Sequence, residues 1–135
     1  MGERVVSTFL DLVKINSTSR NEQELRKYLV QLFKSLKLKP RVDKKGNIHL
    51  SLQGLMVNGP VILFNAHMDT VVPGNNVKPI VQDGRITSDG TTVLGADDKA
   101  GLAGFIELLR RLKEQKILYK EIKVILTVEE EIGLQ

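Results

Sequence analysis

The sequence contains no cysteine and no tryptophan, and aromatic residues make up only 4% of it. The absence of cysteine excludes disulfide bonds, thiolate zinc sites, iron–sulfur clusters and a cysteine nucleophile. No apolar run approaches the roughly 20 residues that a transmembrane helix needs. Asp11 and Lys14 interrupt the apolar stretch 5–15, so this stretch is not the core of a signal peptide. We therefore expect a cytoplasmic protein with no membrane partner.

The 135 residues carry a formal net charge of +4, which is unevenly distributed. Residues 1–66 contain 11 Lys and Arg against 5 Asp and Glu, whereas residues 67–135 contain 9 against 11. The basic residues are scattered among apolar ones with almost no aromatic interleaving, which is typical of solvated faces and predicts no nucleic-acid partner. A hydrophobic content of 41% at this length predicts one folded domain over residues 1–135.

The periodicity of apolar residues alternates between helical and extended patterns. Helical spacing covers residues 3–15, 22–36 and 99–113, and extended patterns cover residues 39–43, 47–52, 61–64 and 122–128. Asn21 is expected to cap the second helix, with Glu24 as its capping-box partner. The run 61–64 is apolar throughout and the run 122–128 is apolar except at Lys123 and Thr127, which predicts strands buried on both faces and paired in parallel around the last helix. The fold class is therefore α/β.

Acidic residues and one histidine follow three segments that should end at the same edge of such a sheet. They are His67 and Asp69 after residues 61–66, Asp97 and Asp98 after residues 91–96, and Glu129, Glu130 and Glu131 after residues 122–128. Clustered carboxylates repel one another unless a cation lies among them. One imidazole and several carboxylates without sulfur suit zinc, cobalt or manganese, and a metal pair if one carboxylate bridges two ions.

Each cluster also has a simpler explanation when it is considered alone. His67 with Asp69 is compatible with a half-buried histidine beside a surface carboxylate, and Asp97 or Asp98 with a helix N-cap. The three adjacent glutamates are compatible with a solvated acidic loop. Residues 95–101 do not form a phosphate-binding loop, because they fit neither glycine-rich pattern and two aspartates would repel phosphate. The metal hypothesis therefore depends on the three clusters together.

Four segments closely resemble the motifs of peptidase T and its relatives. They are His67-Met68-Asp69-Thr70-Val71, Ser88-Asp89-Gly90, Leu94-Gly95-Ala96-Asp97-Asp98-Lys99-Ala100-Gly101 and Glu130-Glu131-Ile132-Gly133. These enzymes belong to the co-catalytic zinc superfamily that also contains carboxypeptidase G, aminoacylases and succinyl-diaminopimelate desuccinylase. The resemblance runs the length of the chain, and residues 95–101 are specific to the peptidase T branch. It implies a three-layer αβα domain with a mixed, mostly parallel sheet.

The resemblance also implies a role for each matching residue. His67 corresponds to a terminal ligand of one metal, Asp69 to the catalytic carboxylate that orients it, Asp97 to the carboxylate that bridges both metals, Glu130 to the general base and Glu131 to a terminal ligand of the second metal. It further implies a cis peptide bond between Asp97 and Asp98. The general base would take a proton from metal-bound water and return it to the departing amine. The implied cofactor is a pair of zinc ions, and the implied substrates are short peptides, above all tripeptides.

The family pattern includes residues that this sequence lacks: a further acidic ligand, a late histidine ligand and a lid or dimerisation domain. None of them follows Glu131 before Gln135. The other histidine, His49, precedes the motifs and is expected to be structural or on the surface. Two protein ligands for each ion are fewer than the three of a catalytic zinc site. We therefore expect the N-terminal part of a longer catalytic domain, which by itself binds zinc weakly and hydrolyses no peptide. An exposed sheet edge is expected to favour association with a second copy.

Three other functions stay open. A deacylase or carboxypeptidase of the same superfamily would share these motifs, because the regions that select the substrate lie elsewhere. A magnesium-dependent phosphoryl-transfer or receiver-like domain would also have Asp97, Asp98 and Lys99 at strand ends. Magnesium is seldom bound by histidine, so His67 disfavours that function. A binding module that has lost its activity is compatible with the missing ligands.

Overall fold

The computed structural model describes residues 2–133, which form helices α1 to α3, strands β1 to β6 and a 3₁₀ turn. In chain order these are α1 (Gly2–Lys14), α2 (Gln23–Ser35), β1 (Arg41–Val42), β2 (Ile48–Gln53), β3 (Val61–His67), β4 (Pro79–Gln82), β5 (Arg85–Ser88), α3 (Ala96–Glu114), β6 (Glu121–Thr127) and the turn Glu130–Ile132. Strands β4 and β5 form a separate antiparallel hairpin. None of the helices in this range is long and apolar enough to cross a membrane.

The main sheet has the strand order β1-β2-β6-β3. Strands β3 and β6 pair in parallel, from Val61 opposite Glu121 to His67 opposite Thr127, as predicted for two strands joined through a helix. The other two pairings are antiparallel. The sheet is therefore mixed, as expected. Within residues 2–133, however, only one of its three strand pairs is parallel, whereas a mostly parallel sheet was expected. The reason is that the short β1–β2 hairpin, which can only be antiparallel, joins the sheet beside β6.

The core lies between one face of the main sheet and the helices. The buried side chains of the two central strands occupy alternate positions, namely Ile48, Leu50 and Leu52 of β2 and Ile122, Val124 and Leu126 of β6. Phe105 of α3 connects this face to α2, with ring centroids 6.3 Å from Phe33 and 6.0 Å from Phe64. On the opposite face, Leu63 and Lys123 are exposed. The described residues thus supply the sheet and one helical layer of the αβα arrangement.

The prediction that residues 61–64 and 122–128 form strands buried on both faces is wrong for the described part of the chain. Strand β6 is fully buried only at alternate positions, and β3 is more exposed still. Val61, Ile62 and Leu63 are 47%, 42% and 60% exposed. Within residues 2–133, β3 is an edge strand whose only partner is β6. Apolar side chains on both of its faces therefore remain in contact with water, as is usual at a sheet edge. Association with a second copy through this edge stays a prediction.

The start of α2 also differs from expectation. The Asn21 side-chain amide donates to the Ser19 carbonyl at 3.4 Å, and α2 begins after Glu22 with no side-chain capping bond among the described residues. The preceding segment is paired with the residues that follow β3, through an isolated bridge between Thr18 and Thr70. Because this tertiary pairing determines how the chain enters α2, the local capping pattern is overridden.

A cluster of charged residues connects α1 to α3. Arg4 Nε donates to Glu107 Oε2 at 2.8 Å, and Arg111 Nε donates to Glu107 Oε1 at 2.9 Å. Arg4 Nη2 also donates to Glu114 Oε2 at 3.0 Å. The hydrogen bond from Arg4 is the main reason why the pKa of Glu107 falls to about 2; burial opposes the shift, and Arg111 adds to it. The ionised Glu107 carboxylate therefore holds the two helices together.

Glu107→Gln is expected to lower the thermal unfolding midpoint at pH 7, because a neutral amide accepts weaker hydrogen bonds from guanidinium groups. The folded-state pKa lies below the ordinary value of 4.5. The stabilisation is therefore present above pH 4.5 and lost as the pH falls from 4.5 towards 2. Melting curves followed by circular dichroism should show variant and wild type converging over this range. The exposed Glu24→Gln is the control, and an equal effect there would contradict the assignment.

Candidate metal centre

Three chain segments place titratable side chains at the carboxyl ends of β3 and β6. His67 is the last residue of β3 and pairs with Thr127 of β6, which leads directly into the turn Glu130–Ile132. Asp97 lies at the start of α3. Because β3 and β6 are parallel neighbours, their carboxyl ends meet at one edge of the sheet. The three clusters identified in the sequence therefore come together at this edge.

The residues expected to bind metal lie close to one another. One donor atom from each of His67, Asp97 and Glu131 lies within 4.8 Å of the other two, and His67 Nε2 is 2.9 Å from Asp97 Oδ1. Donor atoms that share a zinc ion at about 2.0–2.2 Å are at most about 4.4 Å apart. The group could therefore hold a metal ion such as zinc after small side-chain movements. Oε2 of Glu130, the expected base, is 3.9 Å from His67 Nε2.

The backbone holds one ring nitrogen of His67, and the other ring nitrogen faces Asp97. Nδ1 donates to the backbone carbonyl of Asp69 at 2.9 Å, and a carbonyl only accepts, so Nδ1 carries a proton. The Asp69 carboxylate, which was expected to orient the ring, lies farther away, with Oδ1 3.5 Å from Nδ1. Burial lowers the pKa of His67, but the hydrogen bond to Asp97, together with Asp69 and Glu130, outweighs burial and raises the pKa above its ordinary value. The same negative surroundings favour a bound cation.

The Asp69 carboxylate is fully buried and holds the glutamate segment in place. Oδ1 accepts a hydrogen bond from the Glu130 N–H at 3.0 Å, and Oδ2 accepts one from the Glu131 N–H at 3.1 Å. Oδ2 also accepts a hydrogen bond from the Ser19 hydroxyl at 2.7 Å. These three donors satisfy a buried charge. The sequence offered no signal for Ser19, which belongs to no motif and lies 50 residues before Asp69.

The two adjacent aspartates make different contacts. The Asp97–Asp98 peptide bond is cis, which confirms the prediction, and the backbone angles of Asp97 are non-helical, with φ −88° and ψ 107°. The Asp97 side chain is 87% exposed and faces His67. Asp98 Oδ1 instead accepts a hydrogen bond from the Gly101 N–H at 3.1 Å, at the start of α3. The helix-capping explanation therefore applies to Asp98, whereas Asp97 remains available to a metal.

Comparison with known proteins places the chain in a family. The model of peptidase family M20/M25/M40 matches residues 63–135, a range that contains His67, Asp97 and Glu131. The chain belongs to this family. The match covers more than half of the chain, and the part outside it contains α1, α2, β1 and β2.

Individual M20 relatives are similar over almost the whole chain. Uncharacterized protein YqjE of Bacillus subtilis strain 168 is 44% identical over 140 residues, which cover 98% of this chain and 38% of the relative. The crystal structures of aminopeptidase PepT from Bacillus cereus and of a tripeptidase from Staphylococcus aureus match with TM-scores of 0.95 and 0.93, at 43% and 42% identity. Each match covers 98% of this chain and 38% of the other. The predicted fold class and resemblance to peptidase T are confirmed, and the chain spans 38% of the length of these M20 relatives.

Two other titratable residues of this M20 chain have structural roles. Lys99 is buried and its Nζ donates to the Ile15 carbonyl at 2.7 Å, which joins the start of α3 to the end of α1; burial lowers the pKa of Lys99 to about 8. His49 Nε2 is 2.9 Å from Asp43 Oδ2, and this hydrogen bond holds the pKa of Asp43 well below its usual range. His49 therefore stabilises the turn between β1 and β2, in agreement with the expectation that it is structural.

A cleft of about 410 Å³ adjoins the group of possible metal ligands. Its walls are formed by Ser19, Arg20, Thr70, Val71, Val72, Glu131 and Ile132. Glu131 belongs to both the cleft and the group of possible metal ligands, so the cleft opens beside this group. Val71 and Val72 are 42% and 76% exposed, and Arg20 supplies positive charge to the lining. The cleft thus combines apolar walls with one guanidinium group.

His67→Ala is expected to reduce the zinc affinity of the chain by at least about tenfold, because it removes the nitrogen ligand. His49→Ala is the matched control and should leave the affinity unchanged, since His49 is bonded to Asp43 at the β1–β2 turn. Isothermal titration with zinc chloride measures both affinities. Equal losses in the two variants, or no loss in either, would contradict the assignment of the site.

Proposed function

We propose that the protein is a zinc-dependent peptidase that releases the N-terminal residue from short peptides, above all tripeptides. The observation that carries this proposal is the convergence of His67, Asp97 and Glu131 within 4.8 Å, with Glu130 beside them. Membership of the M20 family supports peptide hydrolysis. The similarity to PepT, an aminopeptidase, and to a tripeptidase supports the substrate class.

The donor set suits zinc, with cobalt or manganese as substitutes, because it combines an imidazole nitrogen with carboxylate oxygens and contains no sulfur. In the proposed arrangement, His67 and Asp97 would hold one ion, and Glu131 and Asp97 would hold the other. When bound, the zinc pair lowers the pKa of a coordinated water and polarises the scissile carbonyl. Such a pair also neutralises carboxylates that would otherwise repel one another.

Glu130 is the proposed general base. Its side chain is 47% exposed, so its carboxylate reaches the open side of the centre, while its N–H is held by the buried Asp69. The carboxylate takes a proton from the attacking water and returns it to the nitrogen of the leaving amine. The Asp69 carbonyl keeps His67 in the orientation that directs Nε2 at the other ligands. Asp69 therefore supports the base and the histidine together.

The adjoining cleft supports a short peptide as the substrate. Val71 and Val72 offer apolar walls for side chains. Among the residues that the structure describes, no carboxylate lies within ion-pair distance of the Arg20 guanidinium. Arg20 is thus available to the C-terminal carboxylate of a peptide, and a guanidinium group matches a carboxylate in geometry as well as charge. Because Glu131 also lines the cleft, a peptide held there lies next to the metals.

The isolated chain is expected to bind zinc weakly and to hydrolyse no tripeptide, because its motifs offer each of two ions fewer protein ligands than the three usual at a catalytic zinc site. Metal analysis after dialysis and an assay of N-terminal residue release measure the two properties. Close to two tightly held zinc ions per chain would contradict the expectation. A full-length form, meaning one that spans the whole length of the M20 relatives, should, when loaded with zinc, cleave tripeptides, and should lose this activity to a chelator and regain it with zinc. Cleavage of N-acyl amino acids instead would identify a deacylase.

Glu130→Gln in the full-length protein is expected to lower kcat by about 10²–10⁴-fold, because the amide cannot accept the proton from water. Zinc content should stay at the wild-type level, since Glu130 is not one of the proposed ligands. Glu121→Gln, at the opposite end of β6, is the matched control and should retain full activity. The role of Glu130 would be refuted by a variant that keeps wild-type kcat, or by one that loses its zinc.

A further inference from the structure

Glu22 is a buried acidic residue that the proposed mechanism does not use. It is 3% exposed and lies directly before α2. A single carboxylate oxygen, Oε1, accepts hydrogen bonds from the Arg20 N–H at 2.9 Å and from the Glu129 N–H at 3.2 Å. A carboxylate is buried only where donors compensate for the lost water, so these two N–H groups account for its position.

The contacts of Glu22 do not serve its own helix. Its backbone carbonyl accepts the helical hydrogen bond from the Arg26 N–H at 2.9 Å, but its side chain makes no capping bond to α2 in the described structure. The carboxylate instead reaches a residue 107 positions later in the chain. A role confined to starting α2 therefore does not explain the buried charge.

Glu22 and Asp69 together hold three consecutive N–H groups. Glu22 accepts from the Glu129 N–H, and Asp69 accepts from the N–H groups of Glu130 and Glu131. Two buried carboxylates from separate parts of the chain thus bind one short stretch of backbone. Glu129 adopts a left-handed conformation, with φ 58° and ψ 28°, which is uncommon for a residue other than glycine. Such a conformation persists where surrounding contacts impose it.

We propose that Glu22 is a positioning residue for the metal centre: its carboxylate fixes the left-handed backbone at Glu129 and thereby directs the side chains of Glu130 and Glu131. The backbone angles at residue 129 determine how the chain leaves β6, because the next two residues follow immediately. This inference rests on the proposed function, in which Glu130 is the base and Glu131 a ligand.

The same oxygen also holds the segment that forms one wall of the cleft. Arg20 has φ 71° and is therefore left-handed too, and its N–H shares Glu22 Oε1 with Glu129. The cleft wall and the glutamate segment are thus supported by a single carboxylate. Loss of Glu22 is expected to disturb both.

The test compares Glu22→Ala and Glu22→Gln with Gln23→Ala in the 135-residue chain. Gln23 is the matched control because its side chain donates to the Arg20 carbonyl at 3.3 Å and so contacts the same turn without reaching Glu129. The first readout is the hydrogen-exchange rate of the Glu129 amide, followed by NMR without metal. The second is the affinity for zinc measured by calorimetry. Circular dichroism verifies that each variant is folded.

Glu22→Ala is expected to speed exchange at the Glu129 amide at least tenfold and to weaken zinc binding by about 10–100-fold, the usual effect of removing a group that orients a ligand. Glu22→Gln keeps a carbonyl oxygen as acceptor, so it should restore part of both properties. This rescue would not occur if only the overall stability of the fold were affected. Gln23→Ala should leave both readouts close to wild type.

Unchanged exchange and unchanged zinc affinity in Glu22→Ala would overturn the inference, as would equal losses in Gln23→Ala. If Glu22→Ala fails to fold, Glu22→Gln decides by the same two criteria. If the wild-type chain binds no zinc at all, the proposed metal-dependent function loses its support in this chain. The exchange rate at Glu129 still decides whether Glu22 holds the glutamate segment, so the two failures are distinguishable.

Discussion

The buried carboxylate of Asp69 requires hydrogen-bond donors, and those donors come from separate parts of the chain. The Ser19 hydroxyl belongs to the segment between α1 and α2, whereas the N–H groups of Glu130 and Glu131 follow β6. A buried charge that loses its partners is strongly destabilising. The end of β3, the segment before α2 and the glutamate turn are therefore constrained relative to one another. The relative position of His67 and the two glutamates depends on this constraint.

The acidic residues of the centre form two groups that differ in how deeply they are buried. Asp69 and Glu22 are buried and accept hydrogen bonds mainly from backbone N–H groups. Asp97 and Glu130 are largely or partly exposed and lie within 4 Å of His67 Nε2. The buried carboxylates are satisfied by the protein itself, whereas the exposed ones retain oxygens for a cation or a water molecule. In the proposed enzyme, the first group holds the backbone and the second carries out the chemistry.

Much of the fold follows from local patterns, but the environment of each strand does not. The parallel pairing of β3 with β6 could be predicted, because two apolar strands flank α3. The exposure of residues 61–63 could not be predicted, since burial depends on which elements cover a strand and not on the strand's own composition. The predicted cap at Asn21 failed for a related reason: the pairing of Thr18 with Thr70 determines the path of the chain into α2. Local propensity is a weak influence where a tertiary contact competes with it.

The sequence by itself determined the chemical character of the site: a donor set of nitrogen and oxygen without sulfur, in motifs that indicated the family and the cis bond between residues 97 and 98. Only the tertiary structure decided that Asp98 and not Asp97 bonds to the first turn of α3, that a backbone carbonyl orients the His67 ring, and that Ser19 and Glu22 support the glutamate turn. The supporting contacts join residues 50 to 107 positions apart. Hydrogen bonds over such separations form only after the helices and the sheet have packed, so no local pattern in the chain encodes them.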